Sequence, residues 1–144
     1  SSIASIPVNI KVAKEKYNVP DRISGLTIPL GSQMNSDGSV LLYSCVIVFI
    51  SQMIGQDLSL AQLINILFVS TIMSMGGGGI PGSGIVKLMV VVQAVGLPIE
   101  IVGIIAAFYH LFDMGTTTNN CLGDLVGTII VSKAEEKHTE PILE

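Results

Sequence analysis

Apolar residues run almost unbroken through the middle of the chain. Gly38 to Gly55 and Leu58 to Val86 carry no charge and are rich in Val, Ile and Leu. A third apolar block extends from Ile101 to Ser132. Between Ile23 and Phe112 the charged residues are Asp37, Asp57, Lys87 and Glu100. Blocks of this length predict membrane-spanning helices. The second block is broken by Gly76-Gly77-Gly78-Gly79-Ile80-Pro81-Gly82-Ser83-Gly84. Each arm beside that break has about 16 to 18 residues, short of the about 20 that a span needs. Such a pair predicts a re-entrant hairpin of two half-helices. Non-helical backbone at membrane depth is tolerated only where protein or a water-filled cavity covers it.

Composition sharpens this picture. Of 144 residues, 49% are hydrophobic and 12% charged, and the mean hydropathy is +0.69. Soluble domains carry about 25% charged residues, which argues against a freely soluble enzyme, and the apolar content excludes a disordered chain. The net charge of −4 argues against nucleic-acid binding, which needs a basic patch. Cys45 and Cys121 lie in separate apolar blocks and are expected to be packing residues. The sequence opens on Ser1 without a signal-peptide pattern, and is expected to be part of a longer protein. Four basic residues, Lys11, Lys14, Lys16 and Arg22, precede the apolar region, and Lys133 and Lys137 follow it. Basic residues favour the cytoplasmic side. Both ends should therefore be cytoplasmic, with the loops near Asp57 and Glu100 outside.

Three acids fall within apolar stretches: Asp37, Asp113 and Asp124. A carboxylate at membrane depth costs ~2.5–3.5 kcal/mol even on the mildest scale. Lys87 alone cannot neutralise three, so bound cations are expected for at least one. Asn35-Ser36-Asp37-Gly38-Ser39 interrupts its apolar surroundings with oxygen donors, and hard cations are held by carbonyl and carboxylate oxygens. Asp113, Thr117, Asn120 and Asp124 recur at helical spacing and share one face. His110 points away from that face. Helix N-termini, after Ser2 and Gly82, suit an anionic group. Discontinuous helices of this kind mark secondary transporters.

These residues carry a specific resemblance. The chain resembles the C-terminal half of the dicarboxylate/amino acid:cation symporter family, which includes glutamate/aspartate transporters and neutral amino-acid exchangers. Ser1-Ser2-Ile3-Ala4-Ser5-Ile6-Pro7 is similar to the serine-rich tip of the family's first hairpin. GSQMNSDGS from Gly31 to Ser39 is similar to its GATINMDGT stretch, and GGGIPGSG from Gly77 to Gly84 to the tip of its second hairpin. DMGTTTNNCLGDLVGT from Asp113 to Thr128 is similar to DMGRTxxNVTGDxxGT.

The resemblance implies an all-α membrane protein, the C-terminal part of an elevator-type transport domain. Residues 1–18 would be the second arm of the first re-entrant hairpin and 19–56 the seventh transmembrane segment, broken at 33–38. Residues 57–97 would form the second hairpin with its tip at 76–84, 98–134 the eighth segment, and 135–144 a cytoplasmic tail. It implies that Asp113 and Thr117 hold the substrate amino group. Asn120 and the Ser2 backbone would hold its α-carboxylate, and Gly79 and Ile80 would close over it. One sodium would lie on Asp124 with the carbonyls of Gly31, Asn35 and Asn120. A second would use the carbonyls of Gln33, Ser74, Met75 and Gly77, and a third the side chains of Asn35 and Asp37. A homotrimer in the plasma membrane, assembled through an N-terminal half that this chain lacks, is also implied.

The departures point to the substrate. Family members that carry acidic amino acids have an Arg where this chain has Thr116, and one hydroxyl cannot replace a bidentate Arg–carboxylate pair. The expectation is sodium-coupled transport of a small neutral amino acid such as serine, threonine or alanine. The alternatives are an acidic amino acid or C4-dicarboxylate, with Lys87 or a base elsewhere supplying the charge, and proton in place of sodium coupling. Tyr109 stands where many members carry an acid, and Ser36 replaces a methionine. The glycine run does not fit a phosphate-binding loop, because Lys87 is flanked by Val86 and Leu88 rather than followed by Ser or Thr. A purely structural membrane subunit would leave the three acids without a reason.

Overall fold

The computed structural model describes residues 1–76 and 83–139, and the expected hairpin tip therefore lies largely outside the described residues. Among those described, the chain is helical throughout. The elements are α1 (Ser2–Tyr17), α2 (Asp21–Met34), α3 (Asp37–Met53), α4 (Leu60–Met75), α5 (Ser83–Ala94), a 3-10 turn (Ile99–Ile101) and α6 (Val102–Thr139). Local chemistry sets the boundaries. The Ser1 hydroxyl accepts the Ala4 N–H at 3.3 Å and opens α1, and Asn18 closes it with a left-handed φ of 53°. Ser59 and Gln62 form a reciprocal capping box that starts α4. Gly55 and Gly96, at φ 69° and 76°, turn the chain after α3 and α5, a conformation that strains any residue with a Cβ. With Pro98 two residues on, Gly96 ends α5, whose last helical residue is Ala94.

Between α2 and α3 only Asn35 and Ser36 leave the helical conformation. Asp37 then opens α3, where its carboxylate faces the positive end of the helix dipole. By contrast α6 continues for 38 residues. It passes the expected boundary at 134 and carries part of the expected tail as helix.

α6 is the hub of the bundle: α1, α2, α3 and α5 all pack against it. Apart from Leu125, its buried positions, Val102, Ile105, Tyr109, Thr116, Asn120, Asp124, Thr128 and Ser132, recur at steps of three, four or seven residues. Two apolar cores form along this stripe. One joins Tyr43, Val46, Ile47 and Ile50 of α3 with Ile66, Leu88, Val91 and Val92, and reaches Val102 and Ile105. The other joins Ala13, Val19, Ile23 and Ile28 with Leu125. The polar stretch of α6, from Asp113 to Asp124, lies between them. The outer faces are strongly apolar: Leu26, Leu60, Phe68, Leu111 and Met114 are each exposed. Water-facing proteins rarely leave contiguous apolar patches of this kind. Two stretches, Asp21–Met53 and Ile99–Lys137, are long and apolar enough to cross a membrane. At one end of the bundle Arg22 pairs with Glu135, which brings the basic segment and the start of the tail together.

The cysteines correct an expectation. Cys45 is exposed and Cys121 only half-buried. Cys45 is one position out of phase with Val46 and Ile47, which take the core side of α3.

At Gly38 the backbones of α3 and α6 come into close contact. A Cβ placed there would overlap the Thr116 backbone, whereas one at Gly25 in α2 would meet nothing within 4 Å. Gly38→Ala is expected to lose about 1–3 kcal/mol through overpacking. Gly25→Ala should instead be neutral or gain up to about 1 kcal/mol from helix propensity. Thermal unfolding of the two variants in detergent checks the contrast.

Candidate functional site

The polar middle of α6 borders two cavities. The first is a polar pocket. Tyr109, Asp113, Thr117 and Asn120 line it from α6, and Ser32, Ser36, Ser39 and Tyr43 from either side of the α2–α3 interruption. Ser1 and Ser2 enter from the start of α1, and Ser83, Gly84 and Lys87 from α5. The second is a wider, mostly apolar cleft on the other side of the interruption. Gly31, Asn35, Asp37, Ser74, Met75 and Asp124 contribute to its wall.

Asn120 and Asn35 form the partition. The Asn120 side-chain oxygen accepts the Gly38 N–H at 2.8 Å, which satisfies a donor in the first turn of α3. The Asn35 amide donates to the Asn120 carbonyl at 3.2 Å and to Asp124 Oδ1 at 3.1 Å. Glycines let these groups approach. A Cβ at Gly31 would lie 2.6 Å from Asp124 Oδ1, and one at Gly123 would lie 2.5 Å from both Asn35 Nδ2 and Asp37 Oδ2. At the wall of the cleft Thr27 and Thr128 share a hydroxyl bond at 2.8 Å, and outside the cavities Asn9 donates to the Cys121 carbonyl at 3.0 Å. Both tie α6 to its neighbours.

The two cavities differ in charge. The cleft is lined by two carboxylates, Asp37 and Asp124, and by no basic residue among those described. Asp124 is only 5% exposed. No three His, Cys, Asp or Glu side chains converge among the described residues. What the cleft offers is a mixed set of carboxylate, amide and carbonyl oxygens. That donor set suits a hard cation rather than a transition metal. In the polar pocket one carboxylate, Asp113, faces one ammonium, Lys87, among hydroxyl groups.

The family model for the sodium:dicarboxylate symporter family matches residues 1–134. The chain belongs to that family. Excitatory amino acid transporter 3 of Mus musculus is 41% identical over 140 residues, covering 97% of this chain and 27% of the relative. Neutral amino acid transporter B(0) of Homo sapiens is 35% identical over 147 residues, covering 99% and 27%. An excitatory amino acid transporter of Caenorhabditis elegans is 35% identical over 138 residues, covering 94% and 27%. The chain thus spans about a quarter of the length of the curated relatives it matches. The names of these relatives are those of transporters, not enzymes.

In this member of the symporter family the residues named for substrate separate by position. Ser2, Asp113, Thr117 and Asn120 border the polar pocket. Thr116 does not. It is buried against Gly38, and its hydroxyl donates to the Asp113 carbonyl at 3.1 Å. Of the residues named for cations, Gly31, Asn35, Asp37, Ser74, Met75 and Asp124 border the cleft. Gln33 is exposed and borders neither cavity. Gly77, Gly79 and Ile80 lie outside the described residues. Sequence reasoning did not single out Tyr43 or the hydroxyls of Ser32 and Ser39 for the pocket. The spacing Ser32, Ser36, Ser39, Tyr43 was a usable signal, because it keeps one helical phase across the interruption.

Asn120→Leu removes the acceptor of the Gly38 N–H, whereas Asn120→Asp keeps one at the N-terminus of α3. The leucine variant is expected to lose about 1–3 kcal/mol more than the aspartate variant. Their unfolding midpoints in detergent test this.

Proposed function

We propose that the parent protein performs sodium-coupled secondary active transport of a small neutral amino acid, of the serine, threonine or alanine kind. The observation that carries this reading is the division of charge between adjoining cavities. Two carboxylates with no basic residue beside them among the described residues call for cations on one side. A carboxylate, an ammonium, hydroxyls and an amide on the other side suit a zwitterion. The names of the relatives, excitatory and neutral amino acid transporters, support an amino acid as the solute.

In this reading Asp113 and Thr117 take the substrate amino group. Asn120 and the backbone at Ser2 take its carboxylate, and Gly79 and Ile80 close over it. Asp124 holds one sodium with the carbonyls of Gly31, Asn35 and Asn120. Asn35 and Asp37 contribute to another, and Gln33, Ser74, Met75 and Gly77 to a further one. Thr116 favours neutral solutes by what it lacks: it offers no guanidinium for a second carboxylate. The helices belong to an elevator-type transport domain, with 57–97 as a re-entrant hairpin, in a trimer of the plasma membrane. No bond of the solute is broken. Transport follows from two conformations that bind the same solutes from opposite sides.

The test is uptake of labelled serine by the full-length parent protein in proteoliposomes, with and without a sodium gradient. Uptake should require sodium, and excess alanine should block it where aspartate does not. Block by aspartate alone would overturn the neutral assignment, and sodium-independent uptake would overturn the cation roles. Asp124→Asn should raise the sodium concentration for half-maximal uptake by about tenfold or more, the equivalent of about 1.4 kcal/mol lost from the site. An unchanged sodium dependence in that variant would remove Asp124 from the cation set.

A further inference from the structure

Lys87 stands apart from every other basic residue. The rest lie at 11–22, 133 and 137, whereas Lys87 projects from the apolar helix α5 into the polar pocket. A lysine within such a helix is expensive unless an anion answers it. Among the described residues none does: Lys87 forms no ion pair, although Asp113 borders the same pocket.

Its position is nevertheless fixed. Nζ donates to the Ser74 carbonyl at 3.3 Å. Ser74 lies in the last turn of α4, where carbonyls have no partner within the helix and the dipole favours a cation. An ammonium has three N–H donors. Ser74 takes one, and an ammonium with three donors can hold a pocket ligand at the same time. A second observation points to an occupant. The Tyr43 hydroxyl, on a side chain only 1% exposed, lines the same pocket; the Ser39 side chain stands beside it, and no partner among the described residues meets hydrogen-bond geometry. Buried polar groups are seldom left so. Thr116 is not available to the occupant, because its hydroxyl is turned to the Asp113 carbonyl.

We propose that the Lys87 ammonium, held by the Ser74 carbonyl, binds a carboxylate of the transported solute opposite Asp113. This rests on the amino-acid reading given above, and it assigns a ligand to an ammonium which that reading counts but to which it gives no contact. The pocket then carries one fixed negative and one fixed positive charge, the complement of a zwitterion. The carboxylate is either the α-carboxylate of any amino acid or the side-chain carboxylate of an acidic one.

The test uses the full-length protein in proteoliposomes, with uptake of labelled alanine under a sodium gradient. Competitors are unlabelled alanine, alaninol (which keeps the amino group and lacks the carboxylate) and aspartate. Lys87→Met and Lys87→Gln should each raise the alanine KM by about tenfold or more, the size of a lost charge-assisted pair. They should weaken alaninol much less, so that the preference of alanine over alaninol collapses. Lys87→Arg should restore that preference. Loss for alanine and aspartate together assigns the α-carboxylate. Loss for aspartate alone assigns the side-chain carboxylate and supports the proposal in that form.

If, in the methionine and glutamine variants, the alanine-to-alaninol ratio and the alanine-to-aspartate ratio are both unchanged, the proposal is overturned, whether KM is untouched or all three ligands weaken equally. So does a change confined to sodium dependence, which would make Lys87 a built-in cation at the end of α4. In either case uptake by the wild type leaves the amino-acid reading standing. A wild type that takes up no amino acid overturns that reading and this assignment together.

Discussion

The structure depends on one close contact, that of the first turn of α3 with the middle of α6. Interrupting a helix at Asn35 and Ser36 frees backbone and side-chain polar groups inside an apolar bundle. Such groups are costly unless a neighbour satisfies them. α6 does so at two points. The Asn120 side chain takes the Gly38 N–H, and the Asn120 carbonyl and Asp124 receive the Asn35 amide. Neither bond could form at a larger separation. Gly38, with the Thr116 backbone against it, sets the distance, and Gly31 and Gly123 extend the same close fit toward Asp124 and Asp37. The polar pocket and the cleft are the spaces left on either side of this contact.

How much of this was legible in the sequence follows from what each signal measures. Long uncharged runs report helices and their apolar surroundings, and the helical content follows from them. The oxygen-rich run Asn35-Ser36-Asp37 coincides with the interruption, although its partners are on α6: Ser36 makes no cap bond, and the Gly38 N–H and the Asn35 amide are satisfied by Asn120 and Asp124. Spacing was less decisive for neighbouring threonines. Thr116 and Thr117 differ by one position, about 100° of helix turn. The sequence alone does not say which one a particular neighbour covers. Gly38 decides it by drawing α3 onto Thr116 and leaving Thr117 beside the pocket. The contact of Lys87 with Ser74 was also beyond the sequence, since it depends on how α4 and α5 are set side by side. The cysteines show the same limit: an apolar block holds both core-facing and outward residues, and only helical phase separates them.

The bundle places opposite solvation demands close together. Apolar cores lie at both ends of the polar stretch of α6, and large apolar side chains cover the outside. Asp124, only 5% exposed, is largely shielded from water and Asp113 partly so, and the interactions made there are stronger than at a water-exposed surface. The same surroundings make an unanswered charge expensive. Structural economy and ligand binding thus impose one requirement, which is that each fixed charge have a partner of opposite sign.

The place of α6 in the chain has a consequence for biosynthesis. It packs against α1, α2, α3 and α5, yet it follows all of them in sequence. A polypeptide made from its N-terminus must hold the α2–α3 interruption, with its unsatisfied amides, until the shared partner emerges. The earlier helices can form their own turns and caps, but the bundle cannot close before the stretch from Asp113 to Asp124 has been synthesised. Nascent chains cut short within α6 would expose the polar interruption and both apolar cores at once. That is the kind of incomplete packing from which aggregation begins and on which cellular quality control acts.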